Sequence, residues 1–205
     1  MKVLLLNGSP HACGSTYTAL HEMQKIFESE DICTELIQVG QLDIRGCLAC
    51  RYCRTHGKCA IDDIVNEIAE KLRDADGLVV GSPVYYASAN STLTALLDRL
   101  FYSIGFDMTM KVGAAVCSAR RGGITASFDQ LNKYFTISGM PVASGQYWNG
   151  IHGNSAEEAA QDGEGLLMMR TLARNMSFLI KSIALGKAQF GLPEREKTVQ
   201  TNFIR

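Results

Sequence analysis

A short apolar run, a polar glycine-bearing loop and a helical pattern follow one another repeatedly along the 205 residues of this chain, and that order leaves few folds open. Lys2 to Leu6 is an apolar run that ends in Asn7-Gly8-Ser9-Pro10, and behind it Leu20, Met23, Ile26 and Phe27 share one helical face. Cys33 to Val39 has strand character, and after a cysteine-rich loop Ile64, Ile68 and Leu72 recur at helical spacing behind Asp62 and Asp63, both good N-cap residues. Gly77 to Gly81 reads as a fully buried strand, broken by Ser82-Pro83 and followed by a helix carrying Leu93, Leu96, Leu97 and Leu100. Val112 to Cys117 is a fourth strand with a helix through about Phe135 behind it. Pro141 to Tyr147 is the expected fifth: Gly145 interrupts it, but its place ahead of another helix fits the series.

Five β/α units predict an α/β fold in three layers, a doubly wound five-stranded parallel sheet with helices on both faces. Ligands in such sheets bind beyond the carboxyl ends of the strands, where the strand order reverses. The last helix is long, with Leu166, Met169, Leu172, Ala173, Met176, Leu179, Ile180 and Ile183 on one stripe. From Lys187 to Arg205 periodicity is lost, so residues 1–186 read as one domain. Residues 187–205 read as an extension, either a frayed tail or an oligomerisation arm offering Phe190, Leu192, Phe203 and Ile204.

Hydrophobic residues make up 46% and charged residues 20%, as in ordinary globular domains, and the formal net charge is −1. That balance gives no electrostatic footprint for nucleic acid or an acidic membrane surface. No apolar run approaches the length of a spanning helix, and the Met1-Lys2-Val3 start enters a strand pattern without a signal-peptide cleavage site; a cytoplasmic protein is expected.

The loops after the strands carry the candidate chemistry. The first, Asn7 to Thr16, brings two hydroxyls and several backbone N–H groups to a helix start, which can hold a phosphate without lysine. The alternative is that Ser15 or Thr16 only caps the helix. Neither the lysine-bearing nucleotide loop nor the GxGxxG pattern is present, and Leu5-Leu6-Asn7-Gly8 lacks the acidic residues of a phosphoryl receiver. Ser82 to Asn90 sets Tyr85 and Tyr86 beside a turn, where a planar ring could lie or where the rings only pack. Ser118 to Gly123 combines flexible backbone with Arg120 and Arg121, which are otherwise solvated cations.

Four of the seven cysteines, Cys47, Cys50, Cys53 and Cys59, fall in one loop as CxxCxxCx5C. Three thiolates at three-residue intervals can wrap one face of an iron–sulfur cubane while the fourth closes it. The bacterial ferredoxin run has a shorter last gap and a following proline, whereas Ala60 follows Cys59 here. Structural zinc usually spaces two CxxC knuckles farther apart, and reduced, metal-free cysteines remain open as well. Cys13, Cys33 and Cys117 read as small apolar residues, and His21 and His56 as exposed. His152, beyond Tyr147, Trp148 and Asn149, is placed to line a substrate pocket or simply to pack, and no Ser/His/Asp hydrolase order appears.

The elements GSPHACGST, CLACRYCRTHGKC followed by AIDD, GSPVYY and RRGG, each in its place along the chain to about Gly186, resemble the flavodoxin-like FMN proteins. They are most similar to the iron-sulfur flavoproteins among the NADPH-dependent FMN reductase relatives. The resemblance implies strand order 2-1-3-4-5, with the FMN phosphate on Ser9, His11, Gly14, Ser15 and Thr16. It implies Pro83, Val84, Tyr85 and Tyr86 bordering the isoalloxazine, and Ser118, Arg120, Arg121, Gly122 and Gly123 at its pyrimidine edge. It also implies a [4Fe-4S] cluster on Cys47, Cys50, Cys53 and Cys59. His11 stands where relatives often place arginine, and Ser15 where they often place asparagine. The expected function is a redox protein passing electrons between cluster and FMN, as a homodimer or homotetramer serving a small-molecule or redox-protein electron donor or acceptor. The alternatives are an NAD(P)H-dependent FMN or quinone reductase without a cluster, with NAD(P)H as co-substrate, and a zinc-loop interaction module.

Overall fold

The computed structural model describes residues 1–199, 201 and 203; Ile204 and Arg205 of the expected arm lie outside the described residues. In chain order the elements are β1 (Lys2–Asn7), α1 (Ser15–Ser29), β2 (Cys33–Gln38), α2 (Cys53–His56), α3 (Ile64–Arg73), β3 (Gly77–Tyr85), β4 (Ser88–Ala89), α4 (Ser91–Ser103), β5 (Val112–Ala119), α5 (Ile124–Ile137), β6 (Gly150–His152), α6 (Ala156–Ala159) and α7 (Gly163–Phe190). The main sheet is parallel throughout in the order β2-β1-β3-β5-β6, and β4 adds a short antiparallel pairing at the end of β3. The five parallel strands therefore stand in the 2-1-3-4-5 arrangement expected, with one further two-residue strand off the path.

Both faces of the central strands are buried, which is why they read as unbroken apolar runs instead of alternating ones. Along β1, Leu4 and Leu6 face a core completed by α3, α4 and α5 through Ile68, Leu96, Leu100 and Phe135. Val3 and Leu5 face the opposite core, closed by α1 and α7 through Leu20, Met23, Phe27, Met169, Leu172 and Met176. Of the two aspartates ahead of α3, Asp63 is the cap: its Oδ1 accepts the Val65 N–H at 3.1 Å.

The fifth strand lies elsewhere than Pro141–Tyr147. Pro141 and Ala143 touch β5 only through two bonds to Gly113, an isolated bridge at Val142, and the paired strand is Gly150–His152 beside Cys117–Ala119. Between them the chain swings away. The Ala115 carbonyl that a continuous strand would bond is taken instead by the side chain of Asn149, whose Nδ2 donates at 3.0 Å. At a sheet edge a side-chain amide can substitute for backbone pairing in this way, and Gly145 supplies no side chain to hold the detour in the ladder.

The final helix continues to Phe190, four residues into the segment expected to be aperiodic, and ends at Gly191 with φ +75°. The chain then returns toward the sheet, where Arg195 Nη1 meets Asp107 Oδ1 at 2.9 Å.

Candidate functional site

The loop after β1 is held from outside by side chains, and its carbonyls are the groups they hold. Asn7 Nδ2 donates to Ala12 O at 3.2 Å, Asn90 Nδ2 to Gly8 O at 2.6 Å, Gln38 Nε2 to Ser9 O at 2.6 Å and Gln41 Nε2 to Pro10 O at 2.9 Å. Gly40 allows the closest of these approaches: an ideal Cβ there would lie 2.2 Å from the Ser9 carbonyl oxygen. With Gly14 at the cap position of α1 and no side-chain cap, the first-turn amides of that helix remain free to meet an anion.

Neither hydroxyl of that turn is idle. Ser15 Oγ donates to the carbonyls of Gly153 and Ser155, at 3.2 and 3.0 Å, tying the helix start to the loop after β6. Thr16 Oγ1, almost fully buried, shares a 2.7 Å bond with Ser118 Oγ at the end of β5. These two side chains thus tie the loop to its neighbours, and the donors left uncommitted there are backbone amides.

A cavity of about 700 Å³ opens over this loop. Ser9, His11, Gly14, Ser15 and Thr16 line one side, and Pro83, Val84, Tyr85, Ser118 and Arg120 the other. Tyr86 does not line it; it is fully exposed at the tip of the β3–β4 hairpin. Tyr86 and Ala87 both have left-handed backbone, φ 51° and 57°, where the turn favours Asn-Gly, a strain on the order of 1–3 kcal/mol per residue. Gln130 of α5 pins the hairpin, its Oε1 accepting from Ser88 Oγ at 2.9 Å and Ala89 N at 3.0 Å. Partial burial pushes the Tyr85 phenol up, keeping it neutral. Arg121, Gly122 and Gly123 turn instead to an adjoining cavity of about 410 Å³, shared with Trp148 and His152. At Gly123 the φ is +98°, and an ideal Cβ would lie 2.8 Å from Val84 Cγ1, so a side chain is excluded.

Sequence reasoning missed Gln41, Gly153, Asn154, Ser155 and Glu157, which also line the larger cavity. The residues at 153–157 arrive through the misplaced fifth strand, so locating that strand correctly would have revealed them. Two of the three cysteines expected to be small apolar residues are not in the core: Cys13 and Cys33 are exposed, Cys13 on the side of the cavity formed by the loop after β1. Only Cys117 is buried, and desolvation pushes its thiol up to about 12.

All four clustered cysteines line one small cavity of about 20 Å³, walled on the other side by Arg99, Tyr102 and Ser103 of α4. Cys47 and Cys50 are exposed, Cys53 and Cys59 half-buried. Ala49 and Arg51 take left-handed backbone, φ 52° and 60°, so that the chain can wrap between Cys47 and Cys53. The Ala49 N–H donates to Cys47 Sγ at 3.4 Å. Arg99, 1% exposed, donates from Nε and Nη2 to Cys59 Sγ, each at 3.3 Å. Burial opposes its charge, while the bonds to Asp63 and Cys59 raise it, and the net places Arg99 above its usual range. Among the described residues no three His, Cys, Asp or Glu side chains converge as one metal ion would require. The donor set nevertheless fits an iron–sulfur cluster, whose thiolates stand farther apart than those of a single ion and receive N–H···S bonds.

The sequence model of the NADPH-dependent FMN reductases matches residues 1–154. An iron-sulfur flavoprotein of Methanocaldococcus jannaschii is 33% identical over 89% of this chain and 99% of its own length. Another, of Methanosarcina thermophila, is 30% identical over 89% of this chain and 97% of its own. Among solved structures, a flavodoxin from the domain Archaea superposes with a TM-score of 0.62 at 16% identity, covering 88% of this chain and 99% of that one, a likeness of fold.

Proposed function

This chain belongs to the NADPH-dependent FMN reductase family and is an FMN-dependent oxidoreductase of flavodoxin-like fold, and on that premise we propose that it is an iron-sulfur flavoprotein moving electrons between a [4Fe-4S] cluster and FMN. When bound, FMN exchanges two electrons as hydride or passes them singly, and a cluster exchanges one, so the pair connects two-electron to one-electron chemistry.

The rest falls to the residues of the chain. The free first-turn amides of α1 and the backbone of Ser9 to Thr16 take the phosphate, and the His11 side chain on that rim can add a donor. Pro83, Val84 and Tyr85 form an apolar wall for a planar ring, with Tyr86 exposed beyond it at the hairpin tip. Ser118 and Arg120 offer donors and positive charge to the ring's polar edge, while Arg121, Gly122 and Gly123 shape the backbone behind them. Cys47, Cys50, Cys53 and Cys59 ligate the cluster. The exposed Cys47 and Cys50 form the side through which it is seated.

The observation that carries this reading is that all four cysteines border one cavity, with amide and guanidinium donors already on two of the sulfurs. It is tested by the visible spectrum and the iron and sulfide content of anaerobically purified protein. A flavin spectrum with about four iron and four sulfide per chain is expected from a [4Fe-4S] cluster. Flavin without iron, and turnover with NAD(P)H, would favour an FMN or quinone reductase instead. The electron partner is a small molecule or another redox protein, and the working form is a homodimer or homotetramer.

A further inference from the structure

Arg99 has the largest fully buried side chain in the molecule, and neither the flavin cavity nor the four ligands account for it. A buried guanidinium is retained only where its donors are met. Here Nη1 and Nη2 grip the Asp63 carboxylate at 2.6 and 2.8 Å, and Nη1 and Nη2 also reach the carbonyls of Arg45 and Ile61, both at 3.2 Å. The Arg45 carbonyl lies just before the first clustered cysteine and that of Ile61 just after the last, so one side chain clamps both ends of the loop. Its remaining contacts run from Nε and Nη2 to a single sulfur, Cys59 Sγ. Asn66 braces the same residue, its Oδ1 accepting the Cys59 N–H at 3.0 Å and its Nδ2 donating to Cys59 O at 3.2 Å.

We propose that Arg99 is a positioning residue that closes the cysteine loop against α4 and, through its two N–H···S bonds to Cys59, raises the reduction potential of the cluster. The inference rests on the cluster reading above. Reduction adds one electron to a cluster already negative from its four thiolates, and no bond or proton need change at Arg99. Donors to a ligand sulfur stabilise the more negative, reduced state. Asp63 compensates the formal charge of Arg99, so the fork of donors carries the effect more than the net charge does.

The test compares wild type, Arg99→Gln and Arg99→Lys, purified anaerobically with FMN. FMN, iron and sulfide are assayed and the cluster is titrated with dithionite through mediator dyes. The equilibrium constant for one-electron reduction is expected to fall about tenfold in Arg99→Gln, a midpoint about 59 mV lower. Arg99→Lys, which keeps the charge but loses the fork, should shift in the same direction. Loss of iron from both variants with FMN bound as in wild type would equally support the positioning role. Full iron with an unchanged midpoint in both, or loss of FMN together with iron, would overturn it. In iron-free protein, trypsin should cut within residues 45–58 several-fold faster in Arg99→Gln than in wild type, and equal rates would count against the clamp. Wild type without iron or sulfide would refute the cluster reading itself, before any variant is made.

Discussion

Thr16 and Ser118, 102 residues apart in the chain, join the start of α1 to the end of β5 through a 2.7 Å bond between their buried hydroxyls. Both residues line the larger cavity. Thr16→Val strands the Ser118 hydroxyl and Ser118→Ala strands that of Thr16, so each should lower stability by about 1–3 kcal/mol, and the double variant by less than their sum. Denaturant unfolding of the four proteins checks this, and strict additivity would show that the bond contributes nothing.

Pairing Thr16→Val with Ser15→Ala removes both ties of the phosphate loop, to β5 and to the carbonyls of Gly153 and Ser155. FMN affinity should weaken by about 1–3 kcal/mol, at roughly 0.5–1.5 for each of the two lost hydroxyl ties between neutral groups. Flavin fluorescence titration measures it, and unchanged affinity would remove this loop from the site.

Cys50→Ala should abolish cluster assembly while leaving FMN binding measurable. The phosphate loop follows β1, whereas Cys50 follows β2 and lines a separate cavity. Full iron content in this variant would show that Cys50 is not a ligand.

The Glu35 carboxylate of β2 accepts from Lys2 Nζ at 2.7 Å and from Lys71 Nζ, and these bonds hold it below its usual value of 4.5. A carboxyl lowered on folding contributes stability above the unfolded value and loses it as pH falls through the folded one. Glu35→Gln should therefore destabilise the protein at neutral pH by about 0.5–1 kcal/mol, the pair being partly solvated, and match wild type well below pH 4. Thermal melts at both pH values decide it; a deficit that persists in acid would point to lost packing instead.

Arg99 stands nine residues, about 13 Å of helix rise, beyond Asn90, which caps α4 and bonds the Gly8 carbonyl. On the oligomeric form proposed above, transfer is expected between the cluster of one subunit and the flavin of its neighbour, because the cysteine loop follows the edge strand β2 whereas the larger cavity opens over the loop after β1, in a dimer or tetramer held partly by the segment after Lys187. Sedimentation at micromolar concentration should give an oligomer. A monomer that still transfers electrons from flavin to cluster would sink the idea.

Repeating local patterns told most of the fold. Strand and helix periods depend on residues two to four apart, so the strands from Lys2, Cys33, Gly77 and Val112, and the helices behind them, were legible. So was the meeting of the loops after β1, β3 and β5 around one cavity, because the carboxyl ends of parallel strands share one edge. The grouping of four thiols was legible too, since CxxCxxCx5C keeps them together whatever the rest of the chain does.

What local order does not encode is which distant partner satisfies a buried polar group. The Asn149 amide replaced a backbone donor at Ala115 and moved the fifth strand to Gly150–His152. Arg99 looks like any helical arginine until Asp63, 36 residues away, and Cys59, 40 residues away, close around it. Thr16 and Ser15 carry hydroxyls suited to a phosphate, yet the tertiary structure ties both to the framework and leaves the first-turn amides of α1 without a side-chain cap. The sequence by itself determined the elements and the loops that meet, because those follow from short-range periodicity and chain connectivity. Only the tertiary structure decided which donors hold the sites and which remain free, because a buried hydrogen bond is settled by the three-dimensional neighbourhood that desolvates it.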